Sequence, residues 1–271
     1  MTRVRRALSL ARATLAGFHR DRCLDQSAIV AFYCLLSLAP IVYVAGVVLQ
    51  RLLPGPDPVR EALLRVSPLL SADAVGALTR LIESDLATSA PVMALALPGL
   101  AWAATAGLRA LGRAINLVLA PRARAGGVGA GLRPLAALSV FVLALGAAHL
   151  VDALVLRGGL LDPGPARIAS RGVLLAVRFA TFALVYRLLP RGGTSARVAL
   201  AGAAVALPLW ELARRLFGFV LGRLPTFGLV SGTLAGIVTL QLWFYAVTAI
   251  VLLGAEFAAA LAREPRPGAD A

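Results

Sequence analysis

Two charges stand in stretches otherwise suited to apolar surroundings: Arg178 interrupts the run 172–186, and Glu211 directly follows the run 198–210. A guanidinium or a carboxylate placed alone in hydrocarbon costs about 3 kcal/mol even on the least severe scale, so each needs a partner, a polar cavity or water. The chemistry they could do is charge compensation around a solute rather than bond making. Ser37 and Pro40 mark a second such place, inside "SAIVAFYCLLSLAP" at Ser27–Pro40, within an uncharged run from 26 to 50. Proline removes a backbone donor and a serine hydroxyl can bond a carbonyl of its own helix, so this helix is expected to bend at mid-membrane, as helices do along transport routes and also for packing alone. Asn116, Gln241 and Glu256 complete the set of polar groups on apolar elements. Glu256 closes an apolar run and is expected near arginines of the cytoplasmic side.

The residues that are missing narrow the chemistry further. His19 and His149 are isolated, Cys23 and Cys34 are not spaced as ligands, and no HExxH, CxxC or EF-hand pattern occurs. All 27 basic residues are arginine, and without lysine the phosphate loop GxxxxGK[ST] cannot be formed. No metal, no cofactor and no catalytic residue is expected, and the chain is not expected to be an enzyme.

The elements that must position these groups follow from hydropathy. The chain is 59% hydrophobic and only 15% charged, against about 25% charged in ordinary soluble domains. A bilayer core of about 30 Å needs a helix of about 20 apolar residues. The spacing predicts an all-α polytopic membrane bundle with six transmembrane helices over 28–50, 91–114, 134–156, 171–190, 198–218 and 233–260. Arginines gather before the first helix, between the second and third, between the fourth and fifth, and after the sixth, which places both termini in the cytoplasm. The net charge of +14 is then a topology signal and a contact with lipid headgroups, not a nucleic-acid footprint.

Three parts result: a basic cytoplasmic segment over 1–24, a transmembrane domain over 25–262 and a cytoplasmic tail over 263–271. In the first, Val4, Leu8, Ala11, Leu15 and Phe18 share one helical face among arginines, the pattern of a helix lying on the leaflet. The external loop over 51–90 is expected to carry two short amphipathic helices, capped by Asp57 and Ser71. In the last helix, Gly232 and Gly236 form a GxxxG step suited to close helix contact, while "GGVGAG" at 126–131 reads as a flexible loop.

These motifs, taken in order, resemble the YihY/BrkB family of bacterial inner-membrane proteins. The run ending in Ser37 and Pro40 is similar to that family's opening signature, "AIN" at 114–116 to its Ala-Leu-Asn after the second helix, and "VYRLLP" at 185–190 to its Tyr-Arg-x-x-Pro. The stretch from Ser231 to Glu256 resembles the family's final helix, with Gly232, Trp243, Gly254 and Glu256 at matching spacing. Ser231 and Phe227 depart from it where tyrosines are usual. The resemblance implies an inner-membrane protein to which transporter, virulence and tRNA-processing ribonuclease labels have been attached. The ribonuclease label fits poorly, because metal-dependent phosphodiester cleavage needs converging carboxylates or histidines.

Two functions remain. The first is a transporter or flippase for an amphipathic or anionic substrate, its route lined by Ser37, Asn116, Arg178, Glu211 and Gln241. The second is a noncatalytic scaffold that binds lipids or partner proteins. Arg178 and Glu211 are expected at one depth on antiparallel neighbours, facing inward as an ion pair or across a hydrated cavity.

Overall fold

A computed structural model describes residues 3–52, 90–120, 165–191, 193–221 and 233–263. Six helices make up these residues, with no strand among them: α1 (Arg3–Arg20), α2 (Cys23–Leu52), α3 (Ala90–Leu119), α4 (Pro165–Leu188), α5 (Ala196–Leu221) and α6 (Thr233–Arg263). Helices α5 and α6 are long and apolar enough to cross a membrane, over Ala196–Val220 and Ile237–Arg263.

Helices α2 to α6 coincide with five of the expected apolar elements. The expected helix over 134–156, the helices of the external loop, the glycine loop at 126–131 and Gly232 lie outside the described residues. The second expected helix was too short: α3 continues to Leu119, so Asn116 sits within it rather than after it. Similarly, α4 begins at Pro165, a residue whose missing N–H and fixed φ suit the first turn of a helix. Pro40 lies inside an uninterrupted α2.

Local chemistry sets the joints. Helix α1 ends where Arg22 adopts a left-handed backbone (φ 49°), and Asp25 then supplies negative charge to the first turn of α2. Between α4 and α5, Gly193 takes φ 70° and donates its N–H to the Pro190 carbonyl at 3.0 Å, a turn that a side chain would strain. Ser195 then caps α5, its hydroxyl accepting the Val198 N–H at 3.4 Å.

The chain divides into two compact units, the first comprising Met1–Ser27, Leu111–Arg214 and Val247–Ala271, the second Ala28–Ala110 and Arg215–Ala246. In the first unit α4 and α5 are antiparallel neighbours: Tyr186 meets Gly202, Phe182 meets Trp210 and Arg178 meets Glu211, one number falling as the other rises. Helix α6 joins them at Gly254, where an added Cβ would lie 2.9 Å from the Gly202 carbonyl oxygen and collide with the Tyr186 hydroxyl. That hydroxyl donates to the Val251 carbonyl at 2.8 Å, which satisfies the polar end of a fully buried ring. Small residues here let the backbones approach closely, which adds van der Waals packing to that interhelical hydrogen bond.

Helix α1 packs into the same unit by its small residues. Thr14 and Gly17 are buried, whereas Val4, Leu8 and Leu15 of the apolar stripe stay exposed. In the second unit Gly107 meets Cys34, the Tyr33 and Trp102 rings meet edge to face at 6.4 Å, and Phe217 lies against Trp243 at 4.9 Å.

Candidate functional site

The charges on α4 and α5 form a three-membered cluster. Arg178 Nη1 donates to Glu211 Oε1 at 2.8 Å, and one turn further along α5 Arg214 donates to Glu211 Oε2 from Nη2 at 2.9 Å and from Nε at 3.3 Å. Each carboxylate oxygen therefore faces its own guanidinium. Side-chain exposure is graded across the three, 3% for Arg178, 15% for Glu211 and 34% for Arg214. Phe182 and Trp210, stacked edge to face at 5.9 Å, form an aromatic pair on the same two helices. Outside the cluster, Val177 and Leu212 are exposed aliphatic residues adjacent in sequence to Arg178 and Glu211.

An ion pair removed from water survives only when geometry and extra hydrogen bonds offset its desolvation. Two guanidiniums on one carboxylate provide that, with charge-assisted bonds of good length. Glu211 is thus a carboxylate shared by two guanidiniums, one from each helix of the pair.

The other polar residues singled out from the sequence are placed elsewhere. Asn116 fastens the α4–α5 connection to α3: its side-chain amide donates to the Leu189 carbonyl at 3.3 Å and to Gly112 at 2.6 Å, and its oxygen accepts the Arg191 N–H at 2.8 Å. Ser37 donates to the Cys34 carbonyl of its own helix at 2.8 Å. The buried Gln241 Oε1 accepts no hydrogen bond among the described residues. Trp243 packs on Phe217, and Gly236 lies within α6.

Glu256 is only 1% exposed and meets the amino-terminal segment. The Cys23 thiol donates to its Oε1 at 3.7 Å, and an added Cβ at Gly17 would collide with its Oε2. The Asp21 carboxyl also faces Glu256, with Arg20 and Arg263 supplying positive charge nearby. A forked hydrogen bond from Arg20, at 2.8 and 3.1 Å, holds the Asp21 carboxyl below the usual carboxylate range. Among the described residues no group of three or more His, Cys, Asp or Glu is arranged to hold a metal ion.

Sequence reasoning missed three contributors. Arg214 stands three residues after Glu211, the spacing at which helical side chains meet, and that signal was available. Tyr186 stood in the motif at 185–190, but its partner Val251 carried no sign, and neither did the contact of Gly17 with Glu256, because these partners are distant in the chain.

A family model described as virulence factor BrkB matches residues 14–271. The chain belongs to the BrkB family. Several of the residues that carry the motif resemblance, Asn116, Tyr186, Gly254 and Glu256, fall in the first unit, where they join α1, α3, α4, α5 and α6. A UPF0761 membrane protein from Alkalilimnicola ehrlichii is 26% identical over 254 residues, 90% of this chain and 56% of the relative. Another from Tolumonas auensis is 37% identical over 106 residues, 39% of this chain and 32% of the relative. A third from Xanthomonas campestris pv. campestris is 38% identical over 96 residues, 35% of this chain and 23% of the relative. At most, then, the chain spans about half the length of these curated relatives. No solved structure matches it. The BrkB family model, the membrane-protein relatives, the apolar composition and the lengths of α5 and α6 make this an integral membrane protein, helical and without strands among its described residues.

Proposed function

We propose that the protein is a multi-pass protein of the bacterial cytoplasmic membrane, with six spanning helices and both termini inside, and that it moves an anionic amphiphile across or between leaflets. The arginine distribution supports this orientation. Helix α1 lies on the cytoplasmic leaflet, its exposed Val4, Leu8 and Leu15 in the acyl boundary and its arginines toward anionic headgroups. The observation that carries the transport reading is the Arg178–Glu211–Arg214 cluster, two guanidiniums on one carboxylate, buried at Arg178 and open at its Arg214 side. Intramembrane charges of this kind mark substrate or ion routes.

A second reading, a lipid- or protein-binding scaffold, is favoured by Asn116 and Tyr186, whose polar atoms are engaged within the bundle. Reconstitution into liposomes with fluorescent anionic, zwitterionic and neutral lipids separates the two. The transport reading expects faster movement of the anionic lipids than in protein-free liposomes; no movement across the panel supports the scaffold.

A further inference from the structure

We propose that Arg178 and Arg214 form a seat for the anionic headgroup of a membrane-resident amphiphile, and that Glu211 fills this seat in the resting protein as a displaceable internal anion. The proposal rests on the transport reading and gives that site a ligand chemistry and a resting state.

Three observations carry it. First, the two guanidiniums converge on the two oxygens of one carboxylate, Arg178 on Oε1 and Arg214 on Oε2. Donors disposed in this way can grip two oxygens of a phosphate or a ligand carboxylate equally well. Second, exposure falls from Arg214 through Glu211 to Arg178, so an incoming anion meets Arg214 first and must displace Glu211 to reach Arg178. Third, the two helices that carry the cluster also expose aliphatic side chains, among them Val177 on α4 and Leu212 on α5. They suit an acyl chain and offer nothing to a hydrated inorganic ion.

If Glu211 competes for the seat, the affinity for a ligand is reduced by the fraction of molecules in which the seat is vacant. Removing the charge while keeping the shape, by Glu211→Gln, should then tighten ligand binding by about tenfold for a seat vacant in about one molecule in ten. A carboxylate whose only task is to tie α4 to α5 would give no such gain.

The test is direct binding to the purified full chain in detergent, using dioctanoyl phosphatidate, dioctanoylglycerol and inorganic phosphate as probes. The expected pattern is binding of the phosphatidate by the native protein, about tenfold tighter binding by Glu211→Gln, at least tenfold weaker binding by Arg214→Gln, and weak binding of the other two probes. Equal affinity of the native protein and Glu211→Gln overturns the proposal, as does equal binding of phosphatidate and dioctanoylglycerol. Inorganic phosphate bound as tightly as phosphatidate overturns the lipid headgroup as its source. Should Glu211→Gln fail to fold, Arg214→Gln decides, since it keeps the buried pair: undiminished phosphatidate binding overturns the seat. Because binding is read without transport, a protein that moves lipid while Glu211→Gln gains nothing contradicts the seat alone. A tighter Glu211→Gln in a protein that moves no lipid contradicts the transport reading alone.

Discussion

Arg178 is a guanidinium held away from water, and its contact with Glu211 at 2.8 Å is a charge-assisted one. Breaking a buried pair from one side leaves the other charge uncompensated, at about 3–5 kcal/mol, whereas replacing both partners with apolar groups is often neutral. Arg178→Leu is therefore expected to lower thermal stability in detergent sharply, and Arg178→Leu combined with Glu211→Leu to recover most of the loss; a double variant as unstable as the single one would contradict the pairing. Tyr186→Phe removes the hydroxyl that donates to Val251 and should lower stability by about 1 kcal/mol, read in the same melts. The Arg178–Glu211 contact could be read from the sequence because both charges interrupt apolar runs and a short connection makes their helices antiparallel. Arg214 escaped because it lies beyond the apolar run, where an arginine reads as an ordinary helix-end charge.

At the scale of elements, hydropathy located α2 to α6 well, since an apolar run of membrane length has few alternatives to a helix. It did not show how the helices meet. The contact of α4, α5 and α6 depends on Gly202 and Gly254, which the sequence offers among many other small residues. Gly254→Leu would force the Gly202 backbone and the Tyr186 hydroxyl apart, and it should abolish recovery of monodisperse protein, whereas Gly218→Ala, with nothing within 4 Å of the added Cβ, should be silent. Helix α1 illustrates the same gap between pattern and packing. Its apolar stripe was visible, yet it docks through Thr14 and Gly17, because only a residue without a side chain leaves room for Glu256. The turn after α1 should also be pH-dependent. Asp21, beside Arg20, Arg263 and Glu256, has its carboxyl lowered by the hydrogen bond from Arg20. Its stabilising contribution is thus present above the unfolded carboxylate value of about 3.9 and is lost as pH falls through the lower folded value. Native protein should exceed Asp21→Asn in melting temperature at neutral pH, and the gap should close on acidification below about pH 4; a gap that widens would contradict this.

For the whole molecule, the arginine distribution and the exposed stripe of α1 together make a claim about orientation. Single cysteines introduced near each end, at Ser9 and at Gly268, should react with a membrane-impermeant thiol reagent only after the cytoplasmic face is opened, in a background lacking Cys23 and Cys34. The central claim is that the charge cluster on α4 and α5 handles an anionic amphiphile. It is tested most directly by lipid movement in liposomes containing either the native protein or the folded variant Arg178→Leu with Glu211→Leu. The prediction is protein-dependent movement of a fluorescent anionic lipid that the double variant abolishes while retaining its fold, with a neutral lipid unaffected in both. Undiminished movement of the anionic lipid by the double variant would contradict it.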